Sequence, residues 1–267
     1  MDKKIIHDHF STTAQFWRDR VYKSQNQQGV FEYFDKQYRF DYVTEMIPSE
    51  NSGLFRALDV GCGAGQMIPI LATKGYEVHA IDVSQEMVDL AKNEADRSNV
   101  NAEINIGDCE GLDYPDNYFD VYVAMGVIEY LDDDLPMLKE IERVLKPSGV
   151  AIVTMRNILS LHVRWRTFYR KYVNIFLKNL IRPLIGKPTQ TYIAISKEHY
   201  PKKFREEIKK LQFSILDDRY AHFYLFPEPL NKLLFPLEAM VGKKLEKCFS
   251  RKNVPFFAST YILKFRK

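Results

Sequence analysis

Three glycines alternate at Gly61, Gly63 and Gly65 in the stretch ALDVGCGAGQ, directly after residues that read as buried strand. Glycine loses more backbone entropy on ordering than any other residue, so side chains are given up here because something outside the chain approaches the main chain closely. Asp82 follows seventeen residues after Gly65, and Asp108 lies further on in NIGDCEGL. A carboxylate ending a second strand accepts hydrogen bonds from two ribose hydroxyls. One ending a third strand accepts from an adenine amino group while the Cys109 amide donates to the ring. The chemistry is that of a nucleotide-type site, but a diphosphate fits it poorly. The loop reads D-V-G-C-G-A-G instead of the G-x-G-x-x-G that faces a pyrophosphate, and the leading carboxylate of Asp59 repels a diphosphate while suiting an ammonium.

These residues need strands that end together and helices that leave from those ends. FRALDV reads as a buried strand, Gly65 to Lys74 as a helix closed by Gly75, and YEVHAID as a second strand ending on Asp82. Ser84 is placed as the N-cap of the helix QEMVDLAKNEA. AEINIGD, FDVYVAMG and GVAIVTM read as three more strands, with the helix LPMLKEIERVLK before the last and Pro147-Ser148-Gly149 breaking it. FREEIKKLQ resumes helix, and FSILDDRYAHFYLF and STYILKFRK add two strands. Strands alternating with helices predict an α/β fold, a doubly wound, mostly parallel seven-stranded sheet. The expected organisation is an N-terminal helical lid over residues 1–48, a cofactor-binding core over 49–155, a basic helical insert over 156–200 after the fifth strand, and the rest of the α/β domain over 201–267.

The ligand that combines ribose, adenine and an amino-acid ammonium is S-adenosylmethionine. LDVGCGAG, AIDVSQEMVDLAK, GDCEGLDYPDNYFDVYVAMGVIEYLDD and LKEIERVLKPSGVAIVT together resemble the class I S-adenosylmethionine-dependent methyltransferases, in the family's own order from Leu58 to Thr154. The resemblance implies that Gly61, Gly63 and their neighbours pack under the methionine part of the cofactor. It implies Asp82 on the ribose, Asp108 and Cys109 on the adenine, and the backbone near Met125 and Gly126 on the ammonium. Upstream, YRFDYVTEMI is similar to the helix of the ubiquinone-biosynthesis O-methyltransferases whose arginine meets the cofactor carboxylate, which makes Arg39 a candidate beside the plain reading of a solvated helix residue.

Methyl transfer from a sulfonium is an in-line displacement, so holding the acceptor aligned in a dry site supplies much of the acceleration. A base is required only where the acceptor must lose a proton. The end of the fourth strand and the N-terminal lid offer Glu129, Tyr130, Tyr22, His7 and His9, with Glu129 the leading candidate against its reading as a loop cap. Tyr22, in FWRDRVY, resembles the lid tyrosine of several small-molecule members, although an aromatic there also suits core packing. Where the ubiquinone-type enzymes carry a Glu, Glu, His set for a divalent metal, this chain reads Gly126, Glu129 and Tyr130, so no metal and no catechol acceptor are expected. MGVIEYLDD lacks the Asn/Asp-Pro-Pro-Tyr of enzymes acting on base amino groups, which argues against a nucleic-acid acceptor.

The net charge of +3 hides an asymmetry: residues 1–155 hold 14 basic against 27 acidic side chains, and residues 156–267 hold 24 against 8. Arg156 to Lys197 contains nine basic residues and no acid. At about 100° per residue, Leu161, Trp165, Phe168, Tyr172 and Phe176 share one helical face, bordered by Arg164, Lys171, Lys178 and Arg182 and flanked by Arg166 and Arg170. That pattern suits a helix in the interface of an anionic membrane and equally a lid packed on the sheet domain. LNKLLFPLEAMVGKKLEK is a second such stretch. Nucleic acid is disfavoured because the cations come with large aliphatics and no recognised binding module. Cys62, Cys109 and Cys248 are odd in number and lack CxxC spacing, against a disulfide framework or zinc site. With no spanning segment and no secretory signal read from the sequence, a cytoplasmic protein, peripheral to a membrane at most, is expected. The leading expectation is methyl transfer, to oxygen, of a small or lipid-like acceptor. A silent cofactor-binding scaffold, or transfer to nitrogen or carbon, are the alternatives.

Overall fold

Period-two alternation in the strand Phe55–Val60 (β1) sends Leu58 and Val60 into one core and Ala57 into another on the opposite face. Helices therefore have to cover both faces of the sheet. The structure is a computed structural model and describes residues 8, 10–12, 27–49, 54–182, 196–252 and 254–267. A long helix, Gln27–Met46 (α1), precedes β1 and buries Val43 and Met46 against the Ala57 face. Then follow Met67–Thr73 (α2), Tyr76–Asp82 (β2), Gln85–Arg97 (α3), Ala102–Ile106 (β3), Phe119–Met125 (β4), a 3₁₀ turn at Ile128–Tyr130, Leu135–Val144 (α4) and Leu145–Arg156 (β5). As expected, the Ser84 Oγ accepts from the Met87 amide at the start of α3.

The sheet order is β3-β2-β1-β4-β5-β7-β6, where Ser214–Phe223 is β6 and Ala258–Arg266 is β7. Six strands run in one direction, and β7 alone is reversed, antiparallel to both its neighbours β5 and β6. This is the doubly wound, mostly parallel seven-stranded sheet that the alternation predicted. The order turns back between β1 and β4, which opens a crevice at the carboxyl ends where such sheets bind ligands. Val60, Asp82, Met125, Arg156 and Phe223 end their strands at that edge, and Ala258 begins β7 there.

The insert leaves β5 and comes back to the same place. The His199 amide donates to the Arg156 carbonyl, and the Ile158 amide donates to the His199 carbonyl. Between these feet, Leu161–Phe168 (α5) runs through a π turn at Tyr169–Asn174 into Ile175–Ile181 (α6). The sequence predicted one regular helix, and the π turn interrupts it with wider i→i+5 spacing. Leu161, Trp165, Phe168, Tyr172 and Phe176 are nevertheless all exposed. Arg170 is no free flanking cation: its guanidinium pairs with the Glu228 carboxylate, and the Trp165 indole donates to the Glu228 carbonyl.

After Pro201–Lys210 (α7) and β6, the short helix Leu230–Leu233 (α8) leads into Phe235–Phe249 (α9). The buried face of α9 is acidic. Glu238 accepts from the amides of Leu225 and Phe226, and Glu246 accepts from those of His222 and Phe223 and from the Tyr42 hydroxyl. Leu237 and Met240 face outward. Inward glutamates take up amides that β6 leaves unpaired where it ends, an alternative to paying the desolvation of bare buried donors.

Candidate active site

The glycine loop leaves β1 and is laced to the end of β2. The Cys62 amide donates to the Ile81 carbonyl at 3.0 Å, and the Gly63 amide donates to Asp82 Oδ2 at 2.9 Å. Two loop positions require glycine. At Gly61, with φ +62°, a Cβ would lie 2.4 Å from Val127 Cγ2. At Gly65, with φ +81°, it would lie 2.8 Å from the Ala91 Cα, so the missing side chain lets α3 close on the loop.

Asp82 accepts the Ser84 amide on its other oxygen at 3.0 Å. Burial pushes its carboxyl up, while the amides of Ser84, Gly63 and Val83 pull it back toward the charged form. The Gly63 and Ser84 amides thus orient a carboxylate that has about four lone-pair sites, leaving capacity for a diol. Asp59, on β1, is buried beside it. Burial and then the Asp82 charge push Asp59 up to about 8. Among the described residues no cationic side chain pairs with either carboxylate. Two adjoining buried acids next to bare backbone make a donor set that suits a positively charged ligand and excludes a diphosphate, so the residues present fit an amino-acid ammonium and a ribose.

Asp108 shapes the turn after β3: its Oδ1 accepts the Glu110 amide and its carbonyl accepts the Gly111 amide. Cys109 is buried beneath that turn in the same core as Leu112 and Ile128. Cys62 is also buried, with its thiol pushed well up by burial and by Asp59 and Asp82, so it stays a neutral packing group.

At the end of β4, Gly126 has φ +72° and its amide donates to Thr154 Oγ1 at 2.9 Å. A Cβ there would meet Arg39 Nη1 at 2.9 Å and Glu129 Oε1 at 3.7 Å. The guanidinium of Arg39 on α1 therefore lies over the Met125–Gly126 turn, and the residue is half-buried there. Glu129 is buried, its carboxylate 3.4 Å from Arg156 Nη2, and its carbonyl accepts the Lys197 amide. Arg156 also donates to Ser196 Oγ at 2.6 Å. Lys197 and His199 both reach Asp134, whose carboxyl is held down by the hydrogen bonds from His199 and Lys197 against its burial. Burial, then Glu129, push the Tyr130 phenol up to about 12, so it remains protonated near neutrality.

Phe10 and Ser11 reach this edge of the sheet. Phe10 stands edge-on to Tyr130 with ring centroids 5.1 Å apart, and Ser11 Oγ reaches Glu86 and Ser84 at the start of α3. Tyr22, His7 and His9 lie outside the described residues. The structure brings Arg39, Asp59, the three glycines, Asp82, Met125, Gly126, Glu129 and Tyr130 to one edge, with Asp108 and Cys109 on the adjoining turn. Sequence reasoning missed Arg156, Ser196 and Lys197. Arg156 was visible only as the first residue of the acid-free stretch, and its pairing depends on β4 and β5 ending side by side.

Residues 58–153 match the family described as methyltransferase domain. The chain is 32% identical over 111 residues to the ubiquinone biosynthesis O-methyltransferase of Coxiella burnetii, a match that covers 42% of this chain and 46% of that protein. It thus spans less than half the length of that relative. A protein of the same description from Rickettsia bellii is 27% identical over 192 residues, covering 68% of this chain and 76% of its own. Among solved structures, magnesium protoporphyrin IX methyltransferase from Synechocystis PCC 6803, with bound SAH, superposes with a TM-score of 0.61 at 16% identity over 100% of both chains. That likeness concerns the fold alone. The glycine loop, the two strand-end carboxylates and these matches converge on one conclusion: residues 58–153 are a methyltransferase domain.

Proposed function

We propose that the protein transfers a methyl group from S-adenosylmethionine to an oxygen of a small or lipid-like acceptor. The observation that carries this reading is the buried pair Asp59 and Asp82 beside a glycine loop whose Gly63 amide orients one of the two carboxylates. In this reading Asp82 holds the ribose hydroxyls and the turn at Asp108 and Cys109 the adenine. Asp59 and the Met125–Gly126 turn meet the ammonium, Arg39 meets the carboxylate, and the loop from Gly61 to Gly65 lies under the methionine chain. When bound, the cofactor supplies an electrophilic methyl on a sulfonium. The protein's own residues do the remainder: they fix the donor, exclude water and align the acceptor.

The acceptor's place in this reading is the space bounded by Phe10, Tyr130, Glu129 and Arg156. Tyr130, protonated, is a hydrogen-bond donor to an acceptor oxygen. The Glu129 carboxylate, already paired with Arg156, serves better to hold Arg156 than to take a proton. A lipid-like acceptor is supported by the insert, both of whose feet stand at the edge of this space while its exposed aromatic face points outward among cations. An anionic membrane surface is the partner that such a face suits. No described helix is long and apolar enough to cross a membrane.

Calorimetry with S-adenosylhomocysteine tests the first half: saturable binding is expected, and no detectable binding at millimolar ligand refutes the reading. Transfer of a radiolabelled methyl group to a panel of alcohols, phenols and carboxylic acids bearing alkyl tails tests the second. Binding without transfer to any of them would favour the scaffold alternative.

A further inference from the structure

Thr154 is fully buried on β5, and its neighbours on that face of the sheet are aliphatic: Ile152 precedes it by two residues, and Ile262 of β7 is its register partner. A hydroxyl removed from water on such a face costs free energy unless it is bonded. Its partner lies at the ligand edge. Thr154 is in register with Met125, the last residue of β4, and its Oγ1 accepts the Gly126 amide at 2.9 Å. Branching at Cβ restricts χ1, so the backbone of β5 fixes where this oxygen stands.

That bond decides which way one peptide faces. Met125 is the last β4 residue in register with β5, and Gly126 then turns left-handed at φ +72°. Sheet pairing therefore stops setting the orientation here, and the Thr154 hydroxyl sets it instead. In a trans peptide the N–H and C=O point to opposite sides. With the Gly126 N–H turned toward β5, the Met125 carbonyl faces the other way, toward β1, which flanks β4 on that side. β1 carries Asp59 and leads into the glycine loop. The same turn delivers Val127 against Gly61 and places Gly126 beneath the Arg39 guanidinium and near the Glu129 carboxylate.

We propose that Thr154 is a positioning residue for the methyl donor: by holding the Gly126 amide, it aims the Met125 carbonyl at the donor's ammonium, beside Asp59. This inference rests on the reading above that seats S-adenosylmethionine in the crevice. Thr154 touches no ligand atom in this arrangement and exchanges no proton; it acts through the peptide it holds. An ammonium brings N–H donors and no acceptor, so a carbonyl turned toward it is a partner and an amide turned toward it is not. A carbonyl aimed in advance needs no reordering when the ligand arrives, and the gain goes only to ligands that carry the ammonium.

Two measurements on the full chain decide it, both comparing S-adenosylhomocysteine with 5′-methylthioadenosine, which keeps the adenosine and the sulfur but lacks the amino-acid group. Thr154→Val removes the acceptor oxygen at nearly constant volume. By calorimetry it should weaken S-adenosylhomocysteine by about three- to tenfold and leave 5′-methylthioadenosine within about twofold of wild type. Thr154→Ser, which keeps the hydroxyl, should restore the wild-type ratio. A purely structural role moves both ligands together, so an unchanged affinity ratio in Thr154→Val overturns the proposal. The wild-type chain supplies the second readout, which stands even if the valine variant does not fold. Met125–Gly126 is the one Met-Gly pair in the sequence, so carbonyl carbon-13 methionine with nitrogen-15 glycine gives a single NMR correlation for this peptide. Its carbonyl should shift with saturating S-adenosylhomocysteine and far less with saturating 5′-methylthioadenosine. Equal shifts with the two ligands overturn the proposal. Absence of any S-adenosylhomocysteine binding to wild type would defeat the donor reading itself and the proposal with it, a failure distinct from an unchanged ratio.

Discussion

The Gly63 amide donates to the Asp82 carboxylate at 2.9 Å, so the loop after β1 and the tip of β2 form one preorganised unit. A carboxylate whose orientation is already fixed loses little entropy when a diol arrives. Asp82→Ala should therefore weaken S-adenosylhomocysteine binding by at least about tenfold, given about 1.5–3 kcal/mol for a hydrogen bond to a charged group. Far-ultraviolet circular dichroism should be unchanged. Affinity within threefold of wild type would remove Asp82 from the ribose.

Gly61 faces a different constraint. An added Cβ meets Val127 Cγ2 at 2.4 Å and must also adopt φ +62°. Gly61→Ala should lower the unfolding free energy by about 1–3 kcal/mol, read by urea titration. Adding Val127→Ala removes the clash and leaves the backbone strain, so the double variant should recover part of the loss. A double variant no more stable than the single one would show that Val127 is not the obstacle.

What was legible in the sequence is what depends on neighbours along the chain. The loop glycines, the Ser84 cap and the strands of a parallel sheet declare themselves through local spacing and composition. Residues whose roles arise from strands meeting in space were hidden. Arg156 finds Glu129 only because β4 and β5 pair up to Met125 and Thr154. LNKLLFPLEAMVGKKLEK read as an amphipathic basic stretch, yet its Glu238 and Glu246 turn inward to accept the amides of Leu225, Phe226, His222 and Phe223. The Leu161 helix was read as regular because its composition shows no breaker, and the π turn at Tyr169–Asn174 leaves no mark in the residue types.

The pair Asp59 and Asp82 makes pH a reporter of the site. Burial and the Asp82 charge hold Asp59 at about 8 in the folded state, against about 3.9 for an unfolded aspartate. The folded protein binds this proton more tightly than the unfolded one. The associated stability is therefore complete below about pH 4 and is lost as pH rises through about 8. The melting temperature of the ligand-free protein should fall between pH 6 and 9, less steeply in Asp59→Asn. A cation seated beside the pair favours the charged form, so binding near pH 7 should release a proton. Calorimetry in buffers of different ionisation enthalpy measures that release, and an equal release in Asp59→Asn would show that another group is the source.

The insert presents the last test, because its outward face joins apolar and cationic side chains on a segment anchored at the site. Leu161, Trp165, Phe168, Tyr172 and Phe176 are exposed, and burying them in a headgroup layer recovers roughly 25 cal/mol for each Å² removed from water. Basic residues near an anionic surface add about 1 kcal/mol each, screened within a Debye length of about 10 Å at 0.1 M salt. The protein should therefore sediment with vesicles containing phosphatidylglycerol, less with pure phosphatidylcholine, and less again as salt rises. Replacing Arg164, Lys171, Lys178 and Arg182 together by Gln should lower the bound fraction by at least about tenfold. Arg170→Gln serves as the contrast, since that guanidinium is engaged by Glu228 and its loss should matter less for the vesicles. A wild-type protein that stays in the supernatant with anionic vesicles at low salt would leave the insert as a lid alone.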